Sequence, residues 1–358
     1  MREIDPALAK DLADALGPWF VAHQRDLEWR RTRDPYAIWV SEIMLQQTRV
    51  DTVRAYYREF LRRFPDVGAL AAADEEQVLE AWSGLGYYRR ARLLHRGARY
   101  VAGELGGEVP ASADGLRKIP GVGRYTAGAI ASIAFDRPEP LVDGNVARVL
   151  SRILALTDVK AQAADAPGHW GWARAILEAG SPRVLAQALM ELGATVCTPQ
   201  GPRCDACPVA ARCAGRAAGL QATIPAPKKR AAAPEHELWA VAIARRGRIL
   251  VARRPPEGLL AGMWCLPLIP REAAAGGRPR PAAIKAATGV AVRTAKADAA
   301  AEPVRHVFSH KVWKLWPCTA AAIGDVEAPA GMMWIAAGER PPGGIPRVTE
   351  KVLGRLGF

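Results

Sequence analysis

The chain has 358 residues, 50% of them hydrophobic and 24% charged, enough for more than one packed domain at about 100–200 residues each. A formal net charge of +13 favours a polyanionic partner, although an ordinary basic protein can carry the same excess. The apolar runs are short and broken by Arg, Asp or Gly, and residues 1–10 carry acids with no apolar h-region. Six cysteines accompany no export signal. A membrane span, a secretory leader and a disulfide framework are therefore not expected, and a cytoplasmic compartment is.

The first part of the chain reads as helical. Helix-like periodicity or composition covers residues 6–21, 36–60, 75–83, 89–104, 113–119, 124–135, 145–156 and 182–193, with Gly, Pro and Asp as punctuation. No alternating strand precedes about residue 236. Within 36–60 lies Ser41-Glu42-Ile43-Met44-Leu45-Gln46-Gln47-Thr48. On a helix, Glu42 has Ile38, Trp39, Leu45 and Gln46 as its three- and four-residue neighbours, a largely apolar face. A carboxyl there is desolvated and its pKa raised, as a general acid requires. An isolated Glu at such a position more commonly reaches out to solvent. Gly84-Leu85-Gly86-Tyr87-Tyr88 reads as an exposed turn, or alternatively as core aromatic packing.

Leu116 to Ala127 contains Ile119-Pro120-Gly121-Val122-Gly123-Arg124-Tyr125 between two helical stretches. Gly121 and Gly123 permit a tight hairpin, and the N–H groups opening the next helix suit a phosphate, with Lys118 and Arg124 adding charge. Leu141-Val142-Asp143-Gly144-Asn145-Val146 sets Asp143 at a helix start. An N-cap is the generic reading; helix N–H groups would also keep that carboxylate ionised. Cys197, Cys204, Cys207 and Cys213 follow as C-x6-C-x2-C-x5-C, with Arg203 and Arg212 positioned to meet phosphate. Four thiolates so close suit one iron–sulfur cubane or one tetrahedral ion, although zinc more often uses two Cys-x2-Cys pairs. Cys265 and Cys318 read as buried apolar residues.

Residues 219–236, rich in Pro, Lys and Arg, have the composition of a solvated linker. Beyond them, residues 238–244 and 249–252 look like strands flanking a turn at Arg246-Gly247. Residues 305–308, 312–317 and 332–335 are further strand candidates, and 281–288 and 346–353 short helices. An all-α half is thus followed by a small α/β domain.

Taken together, Ser41–Thr48, Gly84–Tyr88, Ile119–Ala127, Val142–Val146, the cysteine loop and Phe308-Ser309-His310 resemble the MutY-type adenine DNA glycosylases. Those are members of the endonuclease III-like, helix-hairpin-helix superfamily, and the likeness spans nearly the whole chain. It implies an all-α catalytic half over 1–218, with a six-helix subdomain at about 30–135 and an iron–sulfur subdomain from 1–29 plus 136–218. A linker over 219–236 and a Nudix-like domain over 237–358 complete the expected chain. It also implies a [4Fe–4S] cluster on the four loop cysteines. The phosphate-binding hairpin falls on Gly121, Val122 and Gly123.

Breaking a purine N-glycosidic bond takes an acid for the leaving base and an anion for the oxocarbenium-like sugar. The resemblance makes Glu42 the acid at adenine N7, Asp143 the stabilising carboxylate and Asn145 its positioning partner. Lyase-active relatives carry a Lys where this chain has Tyr125, so the implied reaction is monofunctional. It assigns the adenine pocket to Trp29, Arg30, Leu45 and Gln187, and the wedge and mismatch contacts to Gln46, Gln47, Thr48, Leu85 and Tyr87. Phe308, Ser309 and His310 are assigned to 8-oxoguanine. The family commonly has Leu-Pro-Trp where Leu27-Glu28-Trp29 stands, a departure at the edge of the expected pocket. The Nudix-like domain lacks the repeated acids of a working hydrolase after Gly258–Pro267. The implied partner is duplex DNA with adenine opposite 8-oxoguanine or guanine, bound by a monomer and away from membranes. An oxidised-pyrimidine or thymine-mismatch glycosylase, or a non-catalytic iron–sulfur DNA-binding module, are the rivals.

Overall fold

In the computed structural model, residues 5–227, 233–275, 277–297, 302–308, 310–336, 338–342 and 344–358 are described. The chain divides into two units, Met1–Ala72 with Leu93–Lys229, and Ala73–Arg92 with Arg230–Phe358. The stretch 73–92, expected within the all-α half, groups instead with the second unit. Ser309 and residues 228–232 lie outside the described residues.

Helix α1 (Pro6–His23) is capped by Asp5, whose side chain accepts from the Ala7 N–H, and has Pro at its first position. A 3-10 turn over Glu28–Arg30 leads to α2 (Pro35–Leu45), started in the same way by Asp34 and Pro35. Every residue of α2 from Tyr36 to Met44 is buried, as an all-round apolar helix must be. Gly97 permits the close approach there, since a Cβ on it would stand 2.7 Å from the Trp39 ring. The expected single helix over 36–60 is in fact two. Gln47 takes φ +57°, the left-handed turn that ends a helix, and α3 (Val50–Arg63) starts afresh after Arg49. Then come α4 (Val67–Ala72), α5 (Glu75–Ala81) of the second unit, and α6 (Arg89–Glu104).

Helices α7 (Ala113–Leu116) and α8 (Arg124–Phe135) flank the glycine hairpin. Gly121 has φ +85°, and a Cβ there would meet the Leu93 Cβ at 2.7 Å. Gly128 in α8 lies under the Pro140 carbonyl, 2.0 Å from where a Cβ would be. That approach brings the segment ending at Asp143 against the helix that carries Tyr125. Helix α9 (Gly144–Ile153) is N-capped by Asp143. Helix α10 (Pro167–Glu178) did not stand out in the sequence, and α11 (Pro182–Thr195) follows it. The cysteine loop carries 3-10 turns at Cys204–Ala206 and Ala210–Arg212 and ends in α12 (Ala214–Ala217). Chain beyond it stays on the first unit for a stretch. Ile224 is buried, its carbonyl accepts from Arg152 Nε at 2.7 Å, and the Ala226 N–H donates to Gln162 at 2.8 Å.

The second unit holds a mixed sheet. Its strands are β1 (Glu235–Arg245), β2 (Arg248–Arg253), β3 (Trp264–Cys265), β4 (Leu268–Pro270), β7 (Val304–Val307), β8 (Val312–Ala321) and β9 (Met332–Ala336); β5 (Ala274–Ala275) and β6 (Arg278–Pro279) pair separately. The order is β3-β2-β1-β8-β7, with β4 beside β1, β9 beside β2, and β1 parallel to β8 from Glu235↔Val312 to Ala244↔Ala321. Arg246 and Gly247 both have positive φ and close the β1–β2 hairpin as the sequence suggested. Alternate residues of β1 feed two cores. Ala240 and Ala242 join Val348 and Val352 of α14 (Arg347–Leu356), while Trp239, Val241 and Ile243 join Ile284 of α13 (Pro281–Thr288). Among the described residues no helix is long and apolar enough to cross a membrane.

Candidate active site and nucleic-acid interface

One cleft of about 790 Å³ in the first unit collects most of the residues singled out in the sequence. Glu42, Tyr125, Asp143 and Asn145 line it, with Trp29, Arg30, Leu45 and Gln187, the mismatch candidates Gln46, Gln47 and Thr48, and the hairpin glycines Gly121 and Gly123. Val122 is buried beside them. Leu85, Tyr87, Phe308 and His310 belong to the second unit.

Glu42 is only 4% exposed. Burial pushes its carboxyl up to about 7; a hydrogen bond from the Tyr125 phenol and the charge of Arg30 work against that rise, and Asp143 adds to it. Such a group holds a proton at neutral pH and can still release it. Tyr125 is itself held neutral by burial and by the two carboxylates.

Asp143 has the opposite environment. Its Oδ1 accepts from the N–H groups of Asn145 at 2.9 Å and Val146 at 2.7 Å, and its Oδ2 from Asn145 Nδ2 at 3.0 Å. Three donors and a helix N-terminus thus converge on this one carboxylate. Asn145 is fixed in turn, because its Oδ1 accepts from Arg148 Nη2 at 2.9 Å. Arg148 also donates to the carbonyls of Gly193 at 2.8 Å and Cys197 at 2.9 Å, tying the aspartate to α11 and to the start of the cysteine loop. Gly193 makes this fit possible, since a Cβ on it would lie 2.8 Å from the Asn145 Cβ.

Glu191 was not singled out in the sequence. It lines the same cleft, its side chain is 1% exposed, and it accepts from Arg25 Nη2 at 2.8 Å and Arg30 Nη2 at 2.6 Å. Despite burial, those two guanidinium groups hold its carboxyl down at about 2. Arg30 is thereby locked, with its Nη1 on the Arg25 carbonyl at 3.0 Å. Gln187, one turn earlier on α11, is buried and donates to the Arg183 carbonyl at 3.0 Å. Glu28, where the sequence departs from the family, faces Arg54 at 3.2 Å and Arg58 at 3.8 Å on α3. Trp29 stays buried, edge-on to Tyr57 at 5.4 Å.

The four loop cysteines line one small cavity walled by Val149, Ile153, Leu192, Val196 and Val209. Arg152 Nη1 donates to Cys197 Sγ at 3.3 Å and the Arg216 N–H to Cys213 Sγ at 3.4 Å. Burial first, then the neighbouring thiols, push Cys207 up to about 11. As placed, no group of three His, Cys, Asp or Glu among the described residues is set to hold a metal ion. Arg203 and Arg212 are engaged within the protein, on the Thr195 carbonyl at 2.7 Å and on Asp11 at 2.8 Å. Arg124, expected as hairpin charge, lies 3.8 Å over the Trp170 ring.

In the second unit, Tyr87 is 49% exposed while Leu85 is 5% exposed, so only the tyrosine presents its side chain. Phe308 stacks edge-on to Trp313 at 5.0 Å and to His306 at 4.5 Å. His310 is exposed.

Residues 40–166 match the family model of the HhH-GPD superfamily base excision DNA repair proteins, and residues 238–355 match the NUDIX domain model. The chain is 39% identical over 323 residues to the adenine DNA glycosylase of Rattus norvegicus, with 74% of this chain and 63% of that protein covered. To the adenine DNA glycosylase of Mycolicibacterium smegmatis it is 42% identical over 209 residues, covering 57% of this chain and 69% of that one. The chain therefore spans less than two thirds of the rat protein's length. A solved thermostable thymine-DNA glycosylase superposes with a TM-score of 0.55 at 26% identity, over 59% of this chain and 98% of its own.

Proposed function

This chain belongs to the adenine DNA glycosylase family, and from that premise we propose that it removes adenine from duplex DNA where adenine faces 8-oxoguanine or guanine. The observation that carries the reading is the pairing, in one cleft, of a buried carboxyl whose pKa is raised to about 7 with a carboxylate bound by three donors. Two carboxyl groups in such different surroundings, one buried and one held by three donors, can divide acid and anion roles.

Glu42 gives its proton to adenine N7. The C1′–N9 bond then breaks with its electron pair leaving on the base, and the cationic sugar stands against ionised Asp143. Water completes C1′, and its proton passes to a cleft carboxylate. Asn145 and Arg148 hold Asp143 in place through this sequence. Tyr125 offers no amine for a Schiff base, so the product is an abasic site in an uncut strand. The extruded base would enter between Trp29, Leu45 and Gln187, with Gln46, Gln47 and Thr48 at the mouth. Gln47 supports that assignment by its strained left-handed backbone at an exposed helix end. Phe308, Ser309 and His310 face the 8-oxoguanine in this reading.

The donor set of the cysteine loop suits an iron–sulfur cluster, although its four thiols as placed are not drawn together around one ion. The four cysteines line one small, largely apolar cavity, and a buried guanidinium and a backbone N–H donate to two of the sulfurs, which suits a negatively charged group. When bound on Cys197, Cys204, Cys207 and Cys213, a [4Fe–4S] cluster supplies a rigid tie for the loop and a redox-active centre.

The test is strand scission after alkali on duplexes carrying A opposite 8-oxoguanine, A opposite G, and T opposite G. Scission of the first two, and only after alkali, is expected. Preferential scission of the thymine duplex would transfer the chain's activity to the thymine-mismatch class.

A further inference from the structure

The segment from Trp82 to Arg90 holds a tyrosine in a conformation that its side chain resists. Gly84 and Gly86 take φ of +102° and +72°, which glycine tolerates, but Tyr87 itself sits at φ +50°. A bulky residue enters that region only where its surroundings impose it, and such positions concentrate at functional sites. The Tyr87 ring is nevertheless 49% exposed, so core packing is not what imposes it.

Arg90 is. It is 8% exposed, and its Nη2 donates to the carbonyl of Gly86 at 3.2 Å and lies 3.4 Å from that of Leu85. Its backbone N–H donates to the Tyr87 carbonyl at 2.8 Å. Its guanidinium carbon is 5.4 Å from the Trp82 ring centroid and 5.5 Å from that of Tyr87. Trp82 Nε1 closes the arrangement on the Gly86 carbonyl at 3.1 Å. Burial lowers the guanidinium to about 10, which leaves it charged at neutral pH. One planar cation therefore grips the turn ahead of Tyr87 and faces its ring. A lysine ammonium cannot do both.

We propose that Arg90 is the positioning residue of the wedge: it orders Tyr87 before DNA arrives, so that the ring enters the base stack without first having to be immobilised. A side chain fixed in advance loses less freedom on binding, and the stacking gain is kept. The inference rests on the assignment of Tyr87 as the wedge.

The experiment follows base extrusion by stopped-flow fluorescence of 2-aminopurine placed beside the target adenine. The proteins compared are the parent, Arg90→Lys, Tyr87→Ala and the double variant, all with melting checked. Arg90→Lys keeps the buried charge and so guards against loss of the fold. The single variants are each expected to slow the fluorescence rise about tenfold or more, and the double variant no further than Tyr87→Ala. For Arg90→Lys, excision of an adenine already unpaired in a bulge should be slowed less than that of a paired adenine, whereas a general structural defect would slow both alike. If Tyr87→Ala extrudes normally, the wedge assignment falls and this inference with it. If Tyr87→Ala is slow but Arg90→Lys is not, only the role of Arg90 falls. Defects that multiply in the double variant would also overturn it, since Arg90 would then act on DNA directly.

Discussion

Replacing Glu191 by Gln removes the anion that holds two guanidinium groups in the cleft. Breaking a buried pair costs about 3–5 kcal/mol when the remaining charge stays buried. Arg25 has 40% of its side chain exposed and can regain water, whereas Arg30 has only 10%, so the lower end, about 3 kcal/mol, is appropriate. For a unit of this size that is a melting decrease of about 6–12 °C. The second effect is electrostatic. Arg30 lowers the pKa of Glu42, and Glu191 offsets that field at 2.6 Å from Arg30. With the offset gone, Arg30 should favour the ionised form of Glu42 more strongly, and Glu42 should lose its proton at lower pH. Single-turnover excision measured from pH 5 to 9 reads this directly. The parent rate is expected to fall above about 7, where Glu42 becomes ionised. The Glu191→Gln limb should begin at lower pH. A variant that melts early but keeps the parent's limb would refute the coupling and leave Glu191 a purely structural anchor.

Gly193→Ala should push the added methyl against Asn145, whose Cβ is 2.8 Å away, and so displace Asp143. Overpacking of this kind costs about 1–3 kcal/mol, and a misplaced catalytic group costs on the order of 100-fold in rate; single-turnover excision with DNA affinity measured in parallel checks both. Borohydride should trap no enzyme–DNA adduct, because Tyr125 stands at the amine position, and efficient trapping would restore a lyase reading. Cys204→Ser is expected to reduce iron and sulfide content, bleach the visible absorption of a cluster, and loosen the loop to protease. Unchanged iron content would dissociate that cysteine from the cluster.

Much of the site could be read locally. Asp143-Gly144-Asn145 announces a helix cap, Gly121-Val122-Gly123 a hairpin, and four cysteines within 17 residues a shared centre, because each is a short-range constraint. Glu191 could not be read that way. Met190-Glu191-Leu192 looks like any helix, and its partners Arg25 and Arg30 come from 166 and 161 residues away in the chain. The break between α2 and α3 was hidden for another reason, since Gln46-Gln47-Thr48-Arg49 carries neither Gly nor Pro and could continue a helix, and only the φ of +57° at Gln47 marks the end. Helix α10 was obscured by Gly168 and Gly171, although Pro167 at its start was a usable signal. The basic composition of 219–236 suggested a solvated linker, but Ile224, 3% exposed, remains held by Arg152. The tie that decided this came from tertiary packing, which composition does not encode.

The most direct measurement of the catalytic assignment compares Glu42→Gln with the parent at two pH values. DNA affinity should be retained and excision abolished at pH 6, since an amide has no proton to give adenine. Its stability should behave oppositely. The folded-state pKa of Glu42 is raised to about 7, so its stabilising contribution is present at low pH and lost as pH rises through that value. The amide avoids this penalty, and Glu42→Gln should melt at a higher temperature than the parent at pH 8. Undiminished excision by Glu42→Gln would contradict the account, leaving the cleft a place where DNA binds rather than one where adenine is cut free.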